Sequence, residues 1–368
     1  MQGKTIAIDS FKIRAQNSLK NNFNERKIKR HINYIDNKIA EYEQALDGEF
    51  DRNTKDKLEH NKQKKDTFQK VNQQLKQTND GQLSTTDPDA RAVVFQRNSV
   101  KVGYNVQAVS DAKHKLLIAA DTGDVNDTKA LAVMVEKTQE NLGELEEGIK
   151  TNVPADKGYH SGRELKKCEA LGVTTYISPK ESSSSKTNPD FAMQSFTYNQ
   201  AQDTYTCPAK QTLYTNGRWY NKKLNNGRLS YKVKHYKTKA CQGCTLRIKC
   251  TTNKLGRVIE RTEYQKYTDR NNDRVNINPE YYRQRQQIIE HQFGTLKRQW
   301  HFDYTLTRSK EKVLGEVYLA FTCYNLKRTV SIMGFEVLMN KIKAIFILFS
   351  SKYALFRIRK NHFKHFVT

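Results

Sequence analysis

At 368 residues the chain is long enough for one large domain or two ordinary ones around a buried core. Lys plus Arg exceed Asp plus Glu by 25 and the pI is near 9.6, the electrostatic footprint of a polyanionic partner. Only 36% of residues are hydrophobic, but 19 Tyr and 16 Phe exclude plain disorder.

The chain opens without the apolar segment of a signal peptide. Thr5 to Ile13 alternates apolar and polar residues like a half-buried strand, with Asp9 inside it. A central strand this close to Met1 creates the expectation that something upstream is lost or supplied separately. From Asn24 to about Gln77 the sequence is highly charged with helical spacing. Ile28, Ile32, Ile35, Ile39, Tyr42 and Leu46 step by four and three, a narrow heptad seam. Asp47-Gly48-Glu49 breaks the seam, and Leu58, Phe68, Val71 and Leu75 follow. The pattern predicts an antiparallel helical hairpin, inserted as a clamp on DNA, a dimer contact or a structural spacer.

Asp87-Pro-Asp89-Ala-Arg91 is turn chemistry. Val102, Tyr104, Val106 and Ala108 alternate as a strand, and the apolar run Leu116 to Ala120 predicts a more buried one ending at Asp121. Asn126 is expected to cap a helix with Leu131, Met134, Val135, Thr138 and Leu142 on its inner face, ended by Gly143. A strand from Gly148 to Ala155 leads into Asp156-Lys-Gly158-Tyr159, followed by a helix over Ser161 to Ala170 and a strand over Val173 to Ile177.

Past a polar linker, Ser182 to Asn188, the stretch from Phe191 to about Val275 reads as a cysteine-bearing insertion with β segments at Ser195 to Tyr198 and Leu229 to Tyr236. Cys207, Cys241, Cys244 and Cys250 are spaced as Cys-x33-Cys-x2-Cys-x5-Cys. That spacing suits a structural Zn²⁺ held by four thiolates in a reducing compartment; the alternative is buried free thiols. Cys168 and Cys323 lie on helical faces and are expected in the core.

Tyr281 to Trp300 is the next predicted helix. Ile289, Phe293 and Leu296 form its apolar stripe, Glu290 lies one step round, and Lys297 follows two turns along. Arg283, Arg285 and Arg298 extend the positive charge. A further helix over Glu311 to Arg328 is expected to turn Val313, Val317, Leu319, Ala320, Cys323 and Leu326 inward. The last 38 residues carry seven Lys or Arg against one acid, Glu336, and their pattern looks irregular. Their apolar run, Ala344 to Ser350, is too short to span a bilayer. The expected division is a first core strand (1–23), the helical hairpin (24–80), the core (81–181), the Cys-rich insertion (182–278), the catalytic and closing helices (279–334) and a basic tail (335–368). A soluble cytoplasmic protein with no membrane contact is expected.

Asp9 and Asp156 sit on strands or their ends, and Glu290 sits on a later helix. Singly, each reads as a turn, cap or surface residue. Together, in that order, they are the hard oxygen ligands of a two-metal phosphoryl-transfer site, whose Mg²⁺ ions stand roughly 3.5–4 Å apart. Asp121, also ending a strand, is the rival for the first acid. His291 fits a ligand-orienting role, a DNA contact or plain packing.

From Thr5 to Gly334 the chain resembles the DDE transposases of bacterial insertion sequences, of the IS-four-like superfamily and most closely its eleven-eighty-two group. The resemblance is carried by Ile8-Asp9-Ser-Phe-Lys-Ile, Asp87-Pro-Asp-Ala-Arg91, Gly103-Tyr-Asn-Val-Gln107, Ala155-Asp156-Lys-Gly-Tyr159, Ile289-Glu290-His-Gln-Phe-Gly-Thr-Leu-Lys297 and Tyr324-Asn-Leu-Lys-Arg328. It implies an α/β fold with an RNase H-like mixed-sheet core, and Asp9, Asp156 and Glu290 as ligands of two Mg²⁺ (or Mn²⁺) ions. Tyr282, Arg285 and Lys297 would be counterparts of the family's Tyr-Arg-Glu-Lys signature, with Arg298 a further DNA contact. Arg285 stands five residues before Glu290 and Tyr282 eight, one off the commonest spacing. Implied partners are terminal inverted repeats and target duplex, bound by a homodimer in a synaptic complex near the nucleoid. The expectation is a truncated or split reading frame that lacks the family's N-terminal end-binding helical domain. Two other readings are a non-catalytic DNA-binding remnant and an RNase H-fold nuclease without strand transfer.

Overall fold

A computed structural model describes residues 4–46, 51–78, 81–95, 98–143, 150–180, 188–223 and 230–347. The chain divides into two units, Met1–Ile149 with Gln286–Thr368, and Lys150–Arg285.

The first unit opens with β1 (Ile6–Arg14) and a short β2 (Asn22–Phe23), then α1 (Glu25–Leu46) and α2 (Arg52–Gln77). Ile28 of α1 is buried against Val71 and Leu75 of α2. Lys65 reaches Asp36 at 2.7 Å and Lys62 reaches Glu43 at 2.9 Å, so partner numbers fall on one helix as they rise on the other. The pair is therefore the antiparallel hairpin that the heptad seam predicts. Asp51 starts α2 by accepting from the Asn53 and Thr54 amides. β3 (Leu83–Ser84) then returns to pair with β2.

The sheet of this unit is antiparallel. β4 (Arg91–Val94) and β6 (Leu117–Thr122) pair with the start and the end of one edge of β5 (Val100–Asp111), and β1 takes its other edge. Asp9 stands opposite Ala108, and Ala108 opposite Ala120. Gly103 is required where β5 crosses β1, since a Cβ there would lie 2.2 Å from the Ile13 carbonyl oxygen. α3 (Leu131–Leu142) buries Leu131, Met134, Val135 and Thr138 and ends at Gly143, φ +68°, as the sequence predicts. Asn126, however, caps a separate 3₁₀ turn, Asp127–Lys129, rather than the helix itself.

The second unit begins with β7 (Asn152–Ala155), α4 (Gly162–Ala170) and β8 (Thr174–Ile177), the two strands being parallel. The part of the expected strand before Lys150, and the linker up to residue 187, lie outside the described residues. A β-rich lobe follows, built from β9 (Thr197–Asn199), β10 (Thr204–Thr206), β11 (Thr212–Thr215), β12 (Tyr220–Lys223) and β13 (Ser230–Lys237), then a one-turn α5 (Arg247–Cys250) and β14 (Ile259–Thr262). Its sheet runs β12-β13-β11-β10-β9, with β14 also on β13. Phe196, Tyr205, Leu213, Tyr236 and Ile259 form its core. Asp203 accepts from Tyr198, Tyr236 and Lys234 at 2.8, 2.5 and 2.8 Å. Burial pushes its pKa up, but these three donors outweigh burial and hold the carboxyl at about 2.

A helix the β-segment reading misses, α6 (Gln265–Ile277), packs on β8. Its buried Asn271 donates to the Ile177 carbonyl at 2.6 Å and accepts from the Ile177 amide at 3.1 Å. α7 (Pro279–Gly294) carries the chain back to the first unit and passes into a π-helical turn, Thr295–Gln299.

α8 (Lys310–Met333) buries Val313, Val317, Phe321 and Tyr324. Leu319 and Leu326, expected inside, are 67% and 54% exposed, and Cys323 is exposed rather than in the core. Spacing of four, four and three from Val313 selects the aromatic pair instead. The tail expected to be irregular is helical over 335–347; its remainder lies outside the described residues. Among the described residues no helix is long and apolar enough to cross a membrane.

Candidate active site

Strand alternation decides which way the first acid faces. Ala7, Phe11 and Ile13 of β1, with Ala15 just after it, join one core cluster with Ile288, Ile289 and Leu296 of the α7 segment and Val313, Val317, Phe321 and Tyr324 of α8. Asp9 lies between Ala7 and Phe11 in this row, half-buried, its Oδ1 accepting from the Ser10 amide at 2.8 Å. The Phe11 and Phe293 rings meet at 4.9 Å, so the strand of Asp9 packs against the helix of Glu290, three residues before Phe293.

Asp121 faces the other way. It stands opposite Gln107, one step from the Ala108–Ala120 row, and its carboxylate meets Lys137 of α3 at 3.0 Å and Lys310 at 3.7 Å. The rival acid is thus on the sheet face that α3 covers.

Several motif residues hold these elements in place. Gln292, fully buried two residues after Glu290, donates to Ser110 Oγ of β5 at 2.5 Å. Buried Asp87 accepts from the Tyr104 hydroxyl at 2.7 Å, and Asp89 accepts from the Lys310 amide at the start of α8 at 2.8 Å. Asn105 and Gln107 both donate to Asp127, at 2.8 and 2.7 Å. On α8, Asn325 donates to the Leu117 carbonyl at 2.7 Å and accepts from its amide at 2.8 Å, while Arg328 reaches the His114 carbonyl at 3.0 Å. These contacts depend on non-local register, so the sequence shows the residues without their partners.

Glu290 is exposed and lines a cleft with Lys12, Arg14, Lys101, Lys297, Arg298, Asp303 and the Phe95 and Phe293 rings. Five cations and two carboxylates make the cleft basic. The π-helical turn alters the spacing after Gly294, yet Lys297 still lines the cleft beside Glu290. Burial pushes the Lys297 pKa down, Asp303 opposes this, and Lys12 adds to the lowering. His291 is exposed.

In the second unit Asp156 follows β7 and starts a 3₁₀ turn, Lys157–Tyr159. Arg285 meets its Oδ1 at 2.9 Å, and the same guanidinium lies 5.4 Å from the Tyr282 ring centroid. Of the two signature residues whose spacing is one off the commonest form, Arg285 is in direct contact with an acid and Tyr282 lies beside its guanidinium.

Carboxylate oxygens are the donors Mg²⁺ prefers, so the three acids fit such an ion by chemistry. Among the described residues no three His, Cys, Asp or Glu side chains are gathered closely enough to hold one.

A family model of the transposase DDE domain matches residues 2–326, nearly the whole chain. The chain belongs to the DDE transposase domain family. Membership makes it a transposase-type protein with polynucleotidyl-transfer chemistry and DNA as its partner. No curated protein and no solved structure matches this DDE transposase domain.

Proposed function

We propose that the protein cleaves DNA at the ends of an insertion sequence of the eleven-eighty-two type and joins the freed 3′ end to target DNA, with Asp9, Asp156 and Glu290 as its acids. The observation that carries this reading is the packing of Asp9's strand on Glu290's helix beside a basic cleft. The element order supports an RNase H-like core: strands β1, β5 and β6, then α3, β7, α4, β8 and, after the β-rich lobe, α7. The hairpin and the lobe are insertions into that core.

Lys297, Arg298 and the other cleft cations hold the DNA backbone through its phosphates. Tyr282 and Arg285 orient the Asp156 carboxylate and position the strand beside it. Bound by the three carboxylates, a pair of Mg²⁺ or Mn²⁺ ions would supply the Lewis acidity that activates the attacking oxygen and stabilises the leaving one. Hydrolysis breaks one phosphodiester bond and leaves a 3′ hydroxyl; that hydroxyl then attacks a target phosphorus in line, displacing the target's own 3′ oxygen. Two chains acting as a homodimer would bring the two ends together.

The test uses pre-nicked duplexes made from DNA flanking the gene, with Mg²⁺ or Mn²⁺. Wild type and Asp121→Ala should cut and join, whereas Asp9→Ala, Asp156→Ala and Glu290→Gln should lose at least a hundredfold, the scale of electrostatic terms at such sites. Cutting by Asp9→Ala would overturn the assignment. Binding without cutting identifies a remnant, and cutting without joining identifies a nuclease.

A further inference from the structure

The segment between β13 and β14 is held in place without a hydrophobic anchor. From Lys239 to Leu255 no residue is buried, and Ile248 and Leu255 are 92% and 81% exposed. The segment nonetheless keeps a 3₁₀ turn, Lys239–Gly243, and the single turn α5. Its three cysteines face one cavity beside Ala240, Leu246, Arg247 and Thr251. Cys241, Cys244 and Cys250 line it with Cys207, which projects from the β10–β11 hairpin, and the cavity volume is about 30 Å³. That is room for one ion or water and too little for an organic ligand.

Each flank is shaped around a thiol. In Cys207-Pro-Ala-Lys210 the chain turns back at Lys210, φ +58°, so that the Gln211 amide donates to Cys207 Sγ at 3.4 Å. A backbone N–H aimed at sulfur is a donor that a metal-bound sulfur can keep. On the other flank, Gly256 lies against Cys241: a Cβ there would stand 2.5 Å from Cys241 Cβ and 3.2 Å from its Sγ. The lobe core beneath is small, with Cys207 and Cys250 packed on its edge. Small cores of this kind are commonly stapled by a metal or disulfides, and all four cysteines are free thiols.

We propose that Cys207, Cys241, Cys244 and Cys250 bind one zinc ion as a structural tetrathiolate that fastens the 239–255 segment to the β-rich lobe. The thiols line the cavity without being drawn to ligating spacing, so binding closes the cavity around the ion. Each ligand is bound as thiolate, and up to four protons leave on binding.

The test uses the purified full chain. Elemental analysis should find one zinc per chain, and replacement with Co²⁺ should give the visible absorption of tetrahedral cobalt thiolate. Removing the metal with a chelator should release four slowly alkylated thiols to fast reaction and speed proteolytic cleavage within 239–255. Cys244→Ser and Cys250→Ser should lose the metal, while Cys323→Ser and Asp9→Ala should keep it. Retention by Asp9→Ala separates this site from the proposed catalytic acids. Wild-type protein that takes up neither metal and whose thiols all titrate freely, or a Cys241–Cys244 disulfide found by mass analysis, would overturn the proposal. The cobalt spectrum of wild type decides the matter even where serine variants misfold.

Discussion

Lys297 shows how one residue couples the basic cleft to pH. Burial, the first cause of its lowered pKa, favours the neutral amine. A phosphate at the cleft favours the ammonium, so binding DNA takes up a proton once the pH approaches that lowered pKa. DNA affinity should therefore fall as pH rises above neutrality, at lower pH than an ordinary lysine would cause. Lys297→Arg, permanently charged, should abolish this fall. Fluorescence anisotropy with a labelled duplex from pH 7 to pH 10 measures it; matching profiles for the two proteins would remove Lys297 from the interface. The strand that carries Asp9 and the helix that carries Glu290 were readable because each is a short regular pattern, period two around Asp9 and a four-three stripe beside Glu290. The contact between Arg285 and Asp156 was not readable as a bond, because it joins positions far apart in the chain.

Among elements, the long amphipathic pieces were legible and the inward faces only partly so. The hairpin of α1 and α2 declares itself through a strict heptad. α8 does not, because it carries apolar residues all round and its buried face is chosen by the sheet beneath it. That choice is secured by Asn325, which meets both backbone groups of Leu117. Asn325→Leu should leave those groups without partners at a cost on the order of 2 kcal/mol. The urea midpoint should drop with the slope unchanged; an unmoved midpoint would mean water serves equally well. The β-rich lobe has its own acid sensitivity. Asp203, held at about 2 against an unfolded value near 3.9, contributes stability present above pH 4 that is lost as pH falls through about 2. Asp203→Asn should flatten that loss, and tyrosine fluorescence of the two proteins across this window compares them.

For the whole molecule, an excess of 25 positive charges makes binding to any duplex a counterion-release process. The logarithm of affinity should fall steeply and linearly with the logarithm of salt concentration. Lys297→Ala should lower that slope by about one, whereas Lys38→Ala, on the hairpin and paired with Glu41 at 2.5 Å, should leave it unchanged. Equal slopes for all three proteins would place the DNA elsewhere on the surface.

The two asparagines that hold helices to strands have a consequence beyond packing. Asn325 occupies the amide and carbonyl of Leu117 on β6, and Asn271 does the same for Ile177 on β8. Strands with open ladders are templates on which a second chain can add and fibres can grow. A protein that crowds onto DNA, where its charge no longer keeps copies apart, meets that hazard at its most acute. One amide side chain per strand interrupts the template at each place, and replacing both should make the protein aggregate when DNA neutralises it.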